Sequence, residues 1–410
     1  MPALRLSRPA AFWSVAGLLV LVLAASGVPS PLYRVYQEQF GFGAGVLTLV
    51  FGIYAFALLA ALLVVGSLSD HVGRRPVLAG GLLLQAVAMV VFLAADGVGW
   101  LLAARVLQGL STGALTGSLG ATLLDLQRPG RRPLGALLNS VSPGLGLSLG
   151  AVGAGVAIES TASPTPWVFG VLTVVFVLGT ALVLLLPESS PRLPGTLASL
   201  RPRVEVPRPQ RRAFAVAVPA LVALWAMGGL VLSLGPSLVA GVFGITDHLV
   251  GSLLILCMQG AGVVGSLLAR DLPPRRSMGG GCLVFAVAVA ALLVALATGS
   301  AWLFFVSAAV AGTGFGAAFL GAVALVTAGV APGHRAGLLS SVFVVGYLAF
   351  SVPAIVAGIT SNAVGLQLVA EVYGAVVIVL AVGAAAGLRL ADRRRPAADR
   401  TEEPAEPLAA

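Results

Sequence analysis

Four groups of charged or amide side chains stand out from a background of alanine, leucine, valine and glycine. The first is the run from Gly66 to Pro76, in which Asp70 lies four residues before Arg74 and five before Arg75, with Gly73 between them. A carboxylate beside guanidinium groups forms charge-assisted hydrogen bonds, and such bonds can hold one conformation closed and break in another. Gly73 allows the tight turn that this pairing needs. The second group is Arg105 with Gln108, spaced to share one face of a helix. The third is Asp125, close in sequence to Arg128 and Arg131, which reads either as an interface residue or as a gate partner. The fourth is Glu371, a carboxyl inside an apolar run. It is costly there unless protonated or paired, so it is either a proton carrier or a group reaching the membrane interface.

Other chemistries find no support. His71, His248 and His334 are far apart and lack metal-ligand spacing, and Cys257 and Cys282 fall within apolar runs. The chain contains no lysine, so it cannot form the phosphate-binding loop of an ATP-driven pump. The expectation is a protein that is not an enzyme and needs neither cofactor nor metal.

The elements that must position these residues follow from composition. Of 410 residues, 58% are hydrophobic and 10% are charged, whereas a soluble domain carries about a quarter charged. The solvent for most of this surface must be lipid. Apolar stretches of about 20 residues in lipid are read as helices. Twelve are expected, at approximately 12–32, 43–67, 77–95, 100–124, 133–157 and 166–186, then 213–235, 247–269, 277–297, 301–328, 336–358 and 364–388. The fold class is therefore an all-α membrane protein. Arg105 falls about five residues into the fourth span, roughly 7 Å below the outer surface at about 1.5 Å per residue. That depth leaves two readings open, a functional interior group or an arginine that reaches out to the headgroups.

All 24 basic residues are arginines. They concentrate in alternate loops: Arg5 and Arg8, Arg74 and Arg75, Arg128 to Arg132, Arg192 to Arg212, Arg270 to Arg276, Arg335, and the tail from Arg389. The intervening loops keep only Arg34. By the positive-inside rule both termini are cytoplasmic, in a bacterial cytoplasmic membrane. The net charge of +9 is explained by anionic lipid headgroups, and nucleic acid is not an expected partner.

The chain also divides in two. Residues 187–212 form a Pro- and Arg-rich stretch read as a cytoplasmic linker between bundles at 1–186 and 213–390, with a disordered tail at 391–410. The bundles echo each other. Leu-Leu-Asn-Ser-Val at 137–141 returns as Leu-Leu-Ser-Ser-Val at 338–342, and Gly109 and Gly113 return as Gly312 and Gly316. Two similar halves suit a carrier that exposes one site alternately to either side.

The run from Gly66 to Pro76 resembles the signature loop of the major facilitator superfamily, G-x-L-x-D-x-x-G-R-R/K, at Gly66, Leu68, Asp70, Gly73, Arg74 and Arg75. Arg105 to Gly109 resembles a second motif of that family, in which the arginine is implicated in proton coupling or gating. The fifth span matches the family's antiporter-type helix in part: Gly146, Gly150, Gly153 and Gly155 are present, but Ala151 stands where a proline is expected. The resemblance implies two pseudo-symmetric six-helix bundles, with gating by Gly66, Asp70, Gly73, Arg74, Arg75 and Asp125. It implies proton coupling through Arg105, beside which Gln108 supplies a polar lining. Glu371 is a candidate carrier from its place in the last span, although the family's twelfth helix faces lipid, which favours the interface reading. The resemblance also implies a cavity whose candidate residues are Tyr54, Thr112, Asn139, Trp225, Gln259, Phe315, Phe319 and Tyr347. So apolar a cavity suits amphiphilic or drug-like solutes. The expected function is a monomeric, proton-coupled exporter of such molecules. A nutrient importer of the same fold and a non-transporting membrane sensor or assembly protein are the rival readings.

Overall fold

The computed structural model describes residues 5–127, 134–190 and 192–393. The tail from residue 394 and the arginines at 128, 131 and 132, beside which Asp125 was expected, lie outside these. Among the described residues twelve long helices carry the fold. They are α1 (Arg8–Phe40), α2 (Ala44–Val72), α3 (Arg74–Leu93), α4 (Val98–Leu126), α5 (Leu134–Ser160) and α6 (Pro164–Leu184). After residues 185–210 come α7 (Arg211–Phe243), α8 (His248–Ala269), α9 (Pro274–Thr298), α10 (Ala301–Thr327), α11 (Pro332–Val364) and α12 (Leu366–Arg393).

Among the described residues, eleven helices are long and apolar enough to cross a membrane. The exception in apolarity is α4, 29 residues long, whose apolar residues are broken up by Arg105, Gln108, Ser111, Thr112, Thr116, Ser118, Thr122 and Asp125. The outer helices show why hydrocarbon is the solvent. Leu83, Val87 and Val90 of α3, Val171, Val174 and Leu178 of α6, Val284 and Val287 of α9, and Val372, Val376 and Val379 of α12 are exposed at helical spacing.

Some expected ends fall short. The first span was expected to stop at 32, yet α1 continues to Phe40 after a break at Val28. Pro29 stands at the first position of the second segment, where a missing N–H loses no bond. Likewise α7 passes through Pro236 to Phe243, and α11 passes Ser361 and Asn362 to Val364. Neighbouring helices in lipid tolerate such interruptions better than water does.

Contacts fall into two sets. Helix α1 packs on α4 and α5, α2 on α4, and α3 on α4 and α6; α7 packs on α10, α11 and α12, α8 on α10, and α9 on α10 and α12. The glycine pairs explain the parallel. A side chain at Gly109 or Gly113 would run into the Tyr54 and Leu58 carbonyls of α2, and one at Gly312 or Gly316 into the Met258 and Gly262 carbonyls of α8. Small residues let α4 and α10 lie directly on those backbones.

The two sets touch mainly through α2 against α11 and α5 against α8. Because the helices alternate in direction, one face carries the start of α1 and the end of α12 (the terminal face), and the other carries the α1–α2 and α7–α8 turns (the far face). At the far face Arg34 donates from Nη1 to the Thr246 carbonyl at 3.1 Å. Glu159 accepts from the His248 backbone N–H at 2.8 Å and pairs with His248 Nδ1 at 3.1 Å. The Cα atoms of Gly43 and Gly45 face Asn362, and Thr48 lies against Gly358. Toward the terminal face the described hydrogen-bonded ties run through the linker. Ser67 Oγ donates to the Ser199 carbonyl at 3.0 Å, Glu205 N–H donates to the Gly337 carbonyl at 3.2 Å, and His334 lies 3.2 Å from Glu205. Among the described residues, the ties between the two sets are direct at the far face and run through the linker toward the terminal face.

Candidate functional site

The loop between α2 and α3 folds around one side chain. Gly73 adopts φ 121°, a backbone conformation that suits glycine alone, and its bare Cα lets Glu188 approach. The Arg74 guanidinium is 7% exposed. It meets Asp70 Oδ1 at 2.5 Å and Asp125 Oδ2 at 3.1 Å, and donates to Ser69 Oγ at 2.6 Å. Asp125 is thus brought to the loop from the far end of α4's sequence, and Ser189 donates to it at 3.1 Å.

Glu188, which sequence reasoning passed over, caps the first turn of α3. It accepts from the Arg74 N–H at 2.8 Å and the Arg75 N–H at 3.3 Å, where a helix start favours negative charge. The Arg75 side chain donates to the Leu184 carbonyl of α6, and Ser190 Oγ and Leu193 N–H both donate to the Asp70 carbonyl. Gly66 marks the break in α2 ahead of this loop. Every described bond of this network except its tie to the segment following α6 lies within the first six helices.

The second constellation is internal. Arg105 is 1% exposed, which excludes the reading in which it reaches out to headgroups. Its Nε donates to the Val50 carbonyl at 3.4 Å and its Nη1 to Gln108 Oε1 at 2.7 Å, and Gln108 passes the chain on to the Ala25 carbonyl at 2.8 Å. The guanidinium sits 4.0 Å over the Tyr54 ring and 5.9 Å from that of Tyr33. Thr112 is buried beside them, 3.5 Å from Ser26. Tyr54 and Gln108 therefore wall Arg105, and Thr112 is buried further along α4.

Across the seam, α7, α10 and α11 contribute aromatics. Trp225 is in edge contact with Tyr347 at 4.8 Å, Phe319 at 6.0 Å and Phe350 at 6.1 Å, and Phe315 stacks on Phe319 at 6.3 Å. Tyr347 and Phe350 pack against the cluster of Tyr54, Ala55 and Leu58, so the aromatic group adjoins the part of α2 that carries the Tyr54 ring. Gln259 lies in a π-helical turn, Leu256–Gly260, a distortion that recurs at functional sites. Its Oε1, Trp225 Nε1 and Ser351 Oγ have no hydrogen-bond partner among the described residues. Nothing in the local sequence marks the π-turn or Ser351.

Two expected residues sit elsewhere. Asn139 Nδ2 donates to the Gly120 carbonyl at 3.1 Å and ties α5 to α4. Glu371 accepts from Gln367 at 2.9 Å in a groove formed with Gly241, Val242 and Val364, apart from the Arg105 cluster.

Two helix sets tied directly at one face, with buried polar groups and an aromatic cluster along the seam, define a multi-pass membrane protein built for secondary transport. The chain belongs to the major facilitator superfamily, whose family profile matches residues 15–272. The inner membrane transport protein YajR of Escherichia coli (strain K12) is 27% identical over 143 residues, spanning 35% of this chain and 31% of the relative. The chain also resembles a bacterial homologue of the human lysosomal transporter Spinster, crystallised in an inward-facing and occupied conformation. That likeness has a TM-score of 0.73 and 16% identity, covering 95% of this chain and 97% of the other. The human organic anion transporter MFSD10 aligns with a TM-score of 0.62 and 18% identity, covering 93% and 100% of the two chains. At these identities the structural likenesses carry the fold.

Proposed function

We propose that this transporter exports small amphiphilic molecules across the bacterial cytoplasmic membrane by alternating access, driven by the proton gradient. The observation that supports it best is the asymmetry of the two faces. The helix sets meet at the far face through Arg34, Glu159, His248 and Asn362, while at the terminal face they are linked through residues 187–212. With the arginine-rich loops on the terminal face, the positive-inside rule makes that face cytoplasmic. The conformation is then open inward, ready to load from the cytoplasm, and one chain supplies both six-helix bundles.

Gating falls to the Asp70–Arg74–Asp125 network. It fixes how the ends of α2 and α4 and the start of α3 sit against the linker, and so couples bundle motion to one loop. Proton coupling is supported by the buried Arg105–Gln108 pair. The part of Arg105 is that of a guanidinium charge biasing a titrating partner or solute.

Membrane vesicles of both orientations with an imposed proton gradient test the reading. Accumulation of an amphiphilic dye in everted vesicles, lost on adding an ionophore, is expected. Accumulation confined to right-side-out vesicles would instead establish import. Dye movement undiminished by Asp70→Asn would remove the loop from the gate.

A further inference from the structure

Resting on that transport reading, we propose that the solute is an aromatic monoanion. Its acidic group is drawn to Arg105, and its ring to Trp225, Tyr347 and Phe350. Arg105 is a permanent charge sealed in the bundle, and no carboxylate among the described residues pairs with it. Its described bonds come from Nε and Nη1, and Nη2 has no described partner, although a guanidinium carries five N–H donors.

The acidic residues near the seam do not supply the missing charge. Glu38 stands at the far end of α1, Glu159 at the far end of α5, Asp247 ahead of α8, and Asp125 is held by Arg74 at the other face. A buried charge without a counter-charge is unfavourable, and an incoming anion corrects it whereas an incoming cation worsens it. The aromatic face of Tyr54 is a partial substitute, at 4.0 Å.

The ring-binding pole is placed to match. Tyr347 and Phe350 pack against the cluster of Tyr54, Ala55 and Leu58, and they lie at 4.8 and 6.1 Å from Trp225. A planar body held against these rings would place its acidic end toward Tyr54, whose ring lies 4.0 Å from the Arg105 guanidinium. The unspent Trp225 Nε1, Gln259 Oε1 and Ser351 Oγ remain for polar substituents.

The test uses three probes with one ring system and different charge: 2-naphthoate, 2-naphthylmethanol and 2-naphthylmethylammonium. Binding to the purified full chain is measured by calorimetry, and movement by counterflow in proteoliposomes. 2-Naphthoate should bind at least about tenfold more tightly than the ammonium probe. Arg105→Gln should erase that preference. Gln108→Glu offers a second route that keeps the buried arginine. It puts a carboxylate where the amide oxygen already accepts from Arg105 at 2.7 Å, and should weaken 2-naphthoate about tenfold relative to 2-naphthylmethanol.

Equal binding of all three probes, or a 2-naphthoate preference that survives Gln108→Glu, overturns the anion assignment while the transport reading stands. Binding of none overturns the assignment too, and the vesicle experiment then decides transport by itself.

Discussion

Helices α4 and α10 hold equivalent places in their bundles and are built for opposite interiors. Both press glycines onto a neighbouring backbone, Gly109 and Gly113 onto α2, Gly312 and Gly316 onto α8. Yet α4 buries Arg105, Gln108, Ser111, Thr112, Ser118 and Thr122, whereas the buried face of α10 is alanine, glycine, Phe304 and Val326 with Ser307 its sole polar member. The shared spacing sets the bundle geometry and the differing side chains set the chemistry. One half carries a fixed charge, and the other carries aromatic surface. A solute held between them meets two unlike poles, which orients it.

The comparison is broken most severely by filling the close crossings. Gly113→Leu and Gly316→Leu should each destabilise the folded chain by about 3 kcal/mol or more, because backbone and not a movable side chain lies opposite. Thermal melting in detergent measures this. Destabilisation by only one of the two would show that the crossings are not equivalent.

A smaller loss is expected at the loop. Arg74→Ala leaves Asp70 and Asp125 facing an emptied site. Those carboxylates are 37% and 31% exposed, so solvent screening reduces the cost to about 2 kcal/mol, while transport falls sharply. Arg74→Lys should recover stability better than transport, since one ammonium cannot span both carboxylates and Ser69 as the guanidinium fork does.

At the aromatic pole, Trp225→Leu should weaken probe binding about tenfold with little change in melting, because Trp225 is only half-buried and its indole N–H is unpaired. Calorimetry checks it. The smallest effect belongs to His248→Ala at the far face. The Glu159 carboxylate is 41% exposed, so the loss is below about 1 kcal/mol, read as faster labelling of a cysteine introduced beside it.

Much of this molecule was legible in the residues alone. The spans follow from hydropathy, the α4 and α10 crossings from repeated glycines, and the α2–α3 loop from charges four residues apart. What escaped was long-range and aperiodic. Glu188 caps α3 from 114 positions away, and Arg34 reaches Thr246 across 212. Pairs of that kind leave no local pattern, and a lone glutamate after α6 reads as solvated. Arg105 was visible, but its depth was not. Counting residues from the span's expected start placed it shallow, while burial depends on Tyr33, Tyr54 and the α2 backbone closing over it. The π-turn at Gln259 depends on how α8 is packed, which hydropathy does not report.

The central claim is that the far face must open for solute to cross. Its most direct test is a reversible lock: Glu159→Cys and His248→Cys in a chain whose Cys257 and Cys282 are replaced by serine. Oxidation should stop proteoliposome counterflow of whichever naphthalene probe is carried, and reduction should restore it. Undiminished counterflow through a fully crosslinked protein would contradict alternating access at this face.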